Sequence, residues 1–416
     1  MFTCEILESQ IPTQFDEFSK EIGEENWQKR VKKCKEETKG NPLLKEYLYR
    51  ENYIAFQLNE LSEQKKKFGK IKYNEDSKSK FYPTIVFIDR ALAIIKNGNK
   101  ENAERFRRRI HGAFKNPADM RGLQLELLVA THFAKLKKEI SWPETEAEGN
   151  ERFDLLIGGN GDAKLEVECK SIGDDTGRKI TQREVIDFAW LLKKYLNNHL
   201  NKLATGLSVV LTVPDKFPRN HTEQLKFAKK IKLAILSGGK LHKSDDLDIK
   251  ISDFDVKKFD SCNISQEDAR HIIDDISGTK NRSSALMKTE ADGLFVLTIQ
   301  SLCDNTLLRA VFNTLSDAAK RQLTTSRAGM LIVGFDGIDS EQLCLIVKQD
   351  EDARQRPTDL RLEASKFLLA HDRKHVIGVA FVSNGRRKGV VSTTNLTYYF
   401  PNHESIFWSK EFDNLF

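Results

Sequence analysis

An α/β fold is what this sequence predicts: a mixed sheet flanked by helices, with a helical N-terminal domain and further α/β elements toward the C-terminus. Three observations carry that expectation. Residues 151–171 read as two strands around a glycine-rich turn, residues 119–136 form an amphipathic helical pattern just upstream, and strand-like and helix-like runs alternate from Gly293 to Phe400. With 416 residues, 39% of them hydrophobic, the chain can bury more than one core. Composition and punctuation divide it into a basic helical part (1–115), a core (116–236) and an α/β region (237–416). The last of these either extends the core's sheet or stands as a separate domain.

Apolar spacing at Leu43, Leu44, Tyr47 and Leu48, and again at Ile54, Phe56, Leu58 and Leu61, predicts helices in the first sixty residues. Gln64–Lys80, QKKKFGKIKYNEDSKSK, reads as a basic loop, and Thr84–Lys96 as the next helix. A helix over Lys100–Lys115 then carries Arg105, Arg107, Arg108 and Arg109. Residues 1–115 hold 24 Lys plus Arg against 18 Asp plus Glu, while the remainder holds 43 of each, so the whole net charge of +6 sits in this segment. Arginines on a helix can engage phosphates, and such contacts dominate sequence-independent DNA binding; the alternative is an ordinary solvated helix face. Asn116-Pro117 marks a boundary and a helix start. The helix that follows, with LQLELLVATHFAKL, sets Glu126 among apolar neighbours, where a carboxylate needs a partner or a metal.

The stretch ERFDLLIGGNGDAKLEVECK, residues 151–170, parses as a strand Phe153–Ile157, a turn over Gly158–Gly161, and a strand Ala163–Ser171. A period of two places Glu166, Glu168 and Lys170 on one face, with Leu165, Val167 and Cys169 turned to a core. Asp154 lies on the neighbouring strand. Carboxylates crowded together raise one another's pKa unless a cation lies between them, and a divalent metal is the simplest such cation. Mg²⁺ prefers hard oxygen ligands and is usually held by one or two carboxylates plus water and substrate phosphate. Asp154 and Glu168 meet that need, with the carbonyl of Cys169 as a third ligand, and Lys170 is placed to orient an attacking water or offset charge building on phosphorus.

Asp154 followed by Glu168-Cys169-Lys170 at the end of an apolar strand resembles the PD-(D/E)xK, or restriction-endonuclease-like, nuclease superfamily. Gly122-Leu123-Gln124-Leu125-Glu126 looks like the GxxxE element of its RecB-like and related branches, and Gln182 opens a helix where those branches often carry Gln. The resemblance covers Asp119 to Val213. It implies a restriction-endonuclease-like mixed sheet, Asp154 and Glu168 as metal ligands, Glu126 as an accessory ligand, and Lys170 as the residue assisting water. It further implies hydrolysis of DNA phosphodiester bonds with Mg²⁺ or Mn²⁺, and, by analogy with stand-alone nucleases of this sort, service in microbial restriction, repair or antiviral defence. Two departures stand out: Phe153 replaces the Pro before Asp154, and Ile186 stands where an aromatic often follows the Gln. The alternative function is a catalytically inactive nucleic-acid-binding or regulatory module that retains the fold. The tripeptide alone is uninformative, since Asp248-Ile249-Lys250 and Asp255-Val256-Lys257 repeat it without an upstream helix carboxylate. The bland reading of Glu168 and Lys170 is a solvated face on an edge hairpin.

Beyond the hairpin, a helix over Ile180–Leu196 gathers Arg178, Lys179 and Arg183 at its start, a further phosphate-binding candidate. Gly206–Val213 is an apolar run expected to lie beside the hairpin, and His221–Leu236 a basic helix. Leu247–Phe254 reads as strand, Glu267–Ile276 as helix and Lys280–Lys288 as a polar segment. Strand Gly293–Ile299, helix Asn305–Leu323, strand Met330–Phe335, helix Leu360–Ala370 and strands His375–Val382 and Val390–Phe400 complete the chain. His371 and His375 have the i, i+4 spacing of a zinc pair, but a helix ending before His375 would separate the rings. Six scattered cysteines (Cys4, Cys34, Cys169, Cys262, Cys303, Cys344) without a CxxC pair fit reduced thiols in the cytoplasm. No run approaches membrane-spanning length. With no Walker-type phosphate loop and no recognisable sequence-reading module, targeting or motor activity would come from a partner protein, and a homodimer is compatible with the chain.

Overall fold

The computed structural model describes residues 8–71, 75–97, 99–143, 152–159, 161–259, 266–279, 282–384, 396–413 and 415–416. It is a mixed α/β protein whose chain divides into two compact units. The first comprises Met1–Lys33, Glu51–Thr176 and Leu308–Phe416; the second comprises Cys34–Arg50 and Gly177–Leu307. The consecutive blocks expected from the sequence, 1–115, 116–236 and 237–416, are therefore not how the chain packs. Strand pairing across long sequence separations overrides composition.

Among the described residues seven α-helices precede the first strand: α1 (Ile11–Ile22), α2 (Glu24–Gly40), α3 (Leu44–Glu51), α4 (Tyr53–Phe68), α5 (Glu75–Asn97), α6 (Lys100–Ala113) and α7 (Pro117–Lys135). The basic run expected to be a loop is helical at both ends, closing α4 and opening α5. Gly69, in the left-handed region at φ 69°, ends α4 by donating its N–H to the Lys65 carbonyl, and Lys65, Lys66 and Lys67 complement the helix dipole there. Asn116 caps α7 by accepting from the Ala118 N–H at 3.1 Å, with Pro117 at the first helical position.

Helix α7 serves two cores of the first unit. Leu123 and Leu127 join Phe15, Phe18, Trp27, Phe87 and Phe106 in the helical core, while Leu125, Val129, Ala130 and Phe133 pack on a sheet. A helix apolar on both sides is buried nearly all round, and this is why Glu126 is only 4% exposed.

That sheet contains β1 (Glu139–Ser141), β2 (Leu155–Gly159) and β3 (Gly161–Ile172). The chain then enters the second unit through α8 (Gln182–Leu200), β4 (Gly206–Val213), α9 (His221–Ser237), β5 (Leu241–His242), β6 (Asp248–Phe254), α10 (Gln266–Ser277), β7 (Ser283–Lys288) and β8 (Leu294–Ser301). It returns through α11 (Leu307–Arg321), β9 (Ala328–Asp339), α12 (Ser340–Glu351), α13 (Asp359–Leu368), β10 (Val376–Asn384) and β11 (Thr397–Pro401). The first unit's sheet has the order β1-β2-β3-β9-β10-β11, and the second unit's sheet the order β5-β6-β4-β8-β7.

Two sequence expectations change here. Strand β4 forms as expected but pairs with β6 and β8 in the second sheet; the strand parallel to β3 is β9. Within Lys280–Lys288, read from sequence only as a polar segment, residues Ser283–Lys288 form β7 against β8, their inward positions Ser283, Ala285 and Met287 buried. At the junction of the inserted unit, the Thr306 N–H donates to the Gly177 carbonyl at 2.8 Å, so its entering and leaving strands meet. Gly177, at φ 69°, has room for no Cβ, which would lie 2.7 Å from the Leu307 backbone. As the sequence predicts, the helix ends before His375 and the rings of His371 and His375 do not pair. His375 is buried with its imidazole on the Ala319 carbonyl at 3.1 Å, while His371 lies exposed in a short 3-10 turn.

Candidate active site

The β2–β3 register sets Leu155 opposite Val167, so Asp154, one residue before β2, stands opposite Glu168. The Cys169 N–H donates to Asp154 Oδ2 at 2.8 Å, fixing that carboxylate against β3. Since β3 has β2 on one side and β9 on the other, it is an interior strand, and Glu168 is 1% exposed. The solvated edge face is thereby excluded. Glu166 and Glu168, on the opposite face of β3 from Val167, are as buried as Val167 itself.

Four predicted groups meet here. Lys170 Nζ pairs with Glu168 Oε1 at 2.6 Å. Arg109 bridges Glu126 and Asp154, and the charges of Arg109 and Lys170 both act on Asp154. Burial raises the Asp154 carboxyl above its ordinary value, against the Cys169 N–H bond and those two cations. Burial likewise pushes the Cys169 thiol well up, reinforced by Asp154, Glu126 and Glu168 in that order. A single thiol that feels all three carboxylates marks their common neighbourhood.

The sequence reading missed the part played by Arg109. Instead of facing solvent on the basic helix, its guanidinium pairs with Glu126 Oε1 at 2.5 Å and lies 3.5 Å from Asp154 Oδ1. Helical spacing was a usable signal: Arg109 lies between the buried Phe106 and Ile110, on the flank of the apolar face. Its neighbours are also committed to carboxylates, Arg105 to Glu101 at 2.6 Å and Arg107 to Glu21 at 2.6 Å, while Arg108 is exposed. In the second unit, Lys179 pairs with Asp215 at 2.6 Å and Arg183 with Asp187 at 2.8 Å, and Arg178 lies near them in sequence. Gln182 belongs to that unit too, where its amide donates to the Ser284 carbonyl at 2.7 Å. Glu166, two residues from Glu168, is a different case. It accepts from the Thr324 N–H at 2.8 Å, from the Thr324 hydroxyl, and from Arg327 Nε at 2.7 Å. Arg327 also covers the Phe153 ring, 5.6 Å from its centroid. Phe153 thus lies against the arginine that neutralises Glu166.

Three carboxylates face two organic cations in the cluster, leaving one negative charge to be balanced by a proton or a metal. Among the described residues, no three His, Cys, Asp or Glu side chains gather as a ready-made metal cage. Mg²⁺ does not require one; two hard carboxylates suffice when water and phosphate complete its shell. Asp154 and Glu168, on adjacent strands in opposed register, are donors of that kind. Comparison with family models, with curated proteins and with solved structures finds no match for this chain. No helix among the described residues is long and apolar enough to cross a membrane.

Proposed function

We propose that this protein is a metal-dependent nuclease of the PD-(D/E)xK type, hydrolysing DNA phosphodiester bonds, with the first unit's sheet as a restriction-endonuclease-like core. The observation that carries the reading is the buried Glu168 carboxylate paired with half-buried Lys170 on an interior strand, with Asp154 opposite and Glu126 joined to Asp154 through Arg109. Interior strands seldom bury an acid and a base next to further carboxylates unless the group is used, since each desolvated charge costs free energy. A divalent cation held by Asp154 and Glu168 would polarise the phosphoryl oxygen and acidify a coordinated water. Lys170, the more exposed partner of its pair, orients the attacking water and offsets charge on the phosphorane-like transition state. Glu126 and Arg109 hold Asp154 in place.

Plasmid incubated with Mg²⁺ or Mn²⁺ should be cut by the wild-type protein and left intact by Asp154→Ala and Lys170→Ala. Intact plasmid in every lane would remove the enzymatic reading. One observation favours a second reading, a catalytically silent nucleic-acid-binding module: Arg109 already neutralises Glu126 and reaches Asp154. In that case salt-sensitive DNA retention would survive both substitutions.

A further inference from the structure

A cavity of about 260 Å³ lies in the first unit, walled by one face of α5, by α7, and by the C-terminal ends of three parallel strands. Ser171 of β3, Gly334 of β9 and Val382 of β10 stand in one row across those strands. Ligands of open α/β sheets bind at such carboxyl ends. Gly334 brings α7 onto the row, for a Cβ there would lie 2.9 Å from Leu125 Cδ1. Helix α5 turns Tyr82, Val86 and Arg90 into the cavity at four-residue spacing, and Phe87, Tyr53 and Phe335 give it aromatic walls.

Arg90 is the informative residue. Among the described residues no carboxylate, carbonyl or hydroxyl is bonded to its guanidinium, and burial pushes its pKa below the ordinary value. Arg121, at the same cavity, is by contrast paired with Glu51 at 2.7 Å. A half-buried guanidinium that feels the charge of Asp89 but is hydrogen-bonded to no described acceptor, set against aromatic walls, calls for an anion with a flat apolar body.

We propose that this cavity binds a nucleoside monophosphate, its phosphate on Arg90 and its base between the aromatic walls. The size limits the occupant: at about 260 Å³ the cavity lies just under the roughly 300 Å³ at which drug-sized sites begin, so a single nucleotide is the upper limit of what it takes and a dinucleotide exceeds it. The proposal does not depend on the nuclease reading: Glu126, Asp154, Glu168 and Lys170 are not among the lining residues.

The test is calorimetric titration of the full chain with AMP in the presence of EDTA, with adenosine and inorganic phosphate as separate probes. Saturable AMP binding should be tighter than that of either fragment, unchanged in Glu168→Gln, and weakened about tenfold or more in Arg90→Gln. Arg90→Lys, which keeps the charge but loses the planar fork, should fall between. The melting temperature of Arg90→Gln reports its folding and should equal or exceed the wild-type value, because a desolvated charge has been removed. Should Arg90→Gln not fold, the salt dependence of AMP binding by the wild type decides, as phosphate held by a cation must weaken with salt. Absence of AMP binding at millimolar concentration, equal binding of AMP and adenosine, or loss of binding in Glu168→Gln but not in Arg90→Gln would each overturn the proposal.

Discussion

Strands β3 and β6 carry the same acid-x-lysine pattern, Glu168-Cys169-Lys170 in the first unit and Asp248-Ile249-Lys250 in the second. In β6 the strand has only the two-residue β5 on its outer side, Asp248 is half-buried, and Lys250 is exposed. In β3 long neighbours flank both sides, α7 covers the sheet, and Glu168 is sealed from solvent. The two tripeptides share only the acid-x-lysine pattern; their surroundings decide whether the carboxylate is half-exposed or sealed from water. Desolvation makes the buried Glu168 carboxylate costly, and under the proposed function it is what would let the pair act on a substrate, because electrostatic interactions strengthen as water is excluded.

The sharpest way to break this comparison is to mutate both strands. Glu168→Ala or Lys170→Ala should lower plasmid cleavage by about 10²–10³, while Asp248→Ala and Lys250→Ala should leave the rate unchanged; equal effects at both strands would dissolve the distinction.

Within β3 the same logic separates Glu166 from Glu168. Glu166→Ala leaves Arg327 without its carboxylate and the Thr324 donors without their acceptor, so it should cost about 3 kcal/mol of stability, measured by urea denaturation. Near the same end of the sheet, burial depresses the His375 pKa, outweighing the Ala319 carbonyl that favours protonation. The unfolded chain therefore binds the proton more readily than the folded one. The contribution is fully present above the ordinary histidine value and is lost as pH falls through the depressed one. His375→Gln should flatten the decline of stability below about pH 6.5, seen as melting curves that lie closer together across acid pH. The smallest effect belongs to the surface: Arg105→Ala, which removes an exposed i, i+4 pair with Glu101, should change stability by about 0.5 kcal/mol or less.

Much of the candidate site was legible one element at a time. The hairpin, the helix bearing Glu126 and the opposition of Asp154 and Glu168 all rest on local periodicity and a short turn, which a linear reading captures. Arg109 was visible as a basic residue and misplaced, because whether a helical arginine faces solvent or a buried carboxylate depends on which helix packs against it. The chain neighbour of β3 was misjudged for a similar reason. Gly206–Val213 and Ala328–Asp339 are both apolar strands preceded by a helix, and nothing in either run marks which one pairs with the hairpin.

By itself, then, the order of residues determined the elements and the acid–base set along β3, since side-chain alternation and helix periodicity are properties of adjacent positions. Only the tertiary structure decided that Gly177–Leu307 packs with Cys34–Arg50 as a separate unit, that β9 seals β3, and that Arg109 turns inward. Those outcomes depend on contacts between residues distant in the chain, where the free energy of burying one surface against another, rather than any local preference, selects the partner.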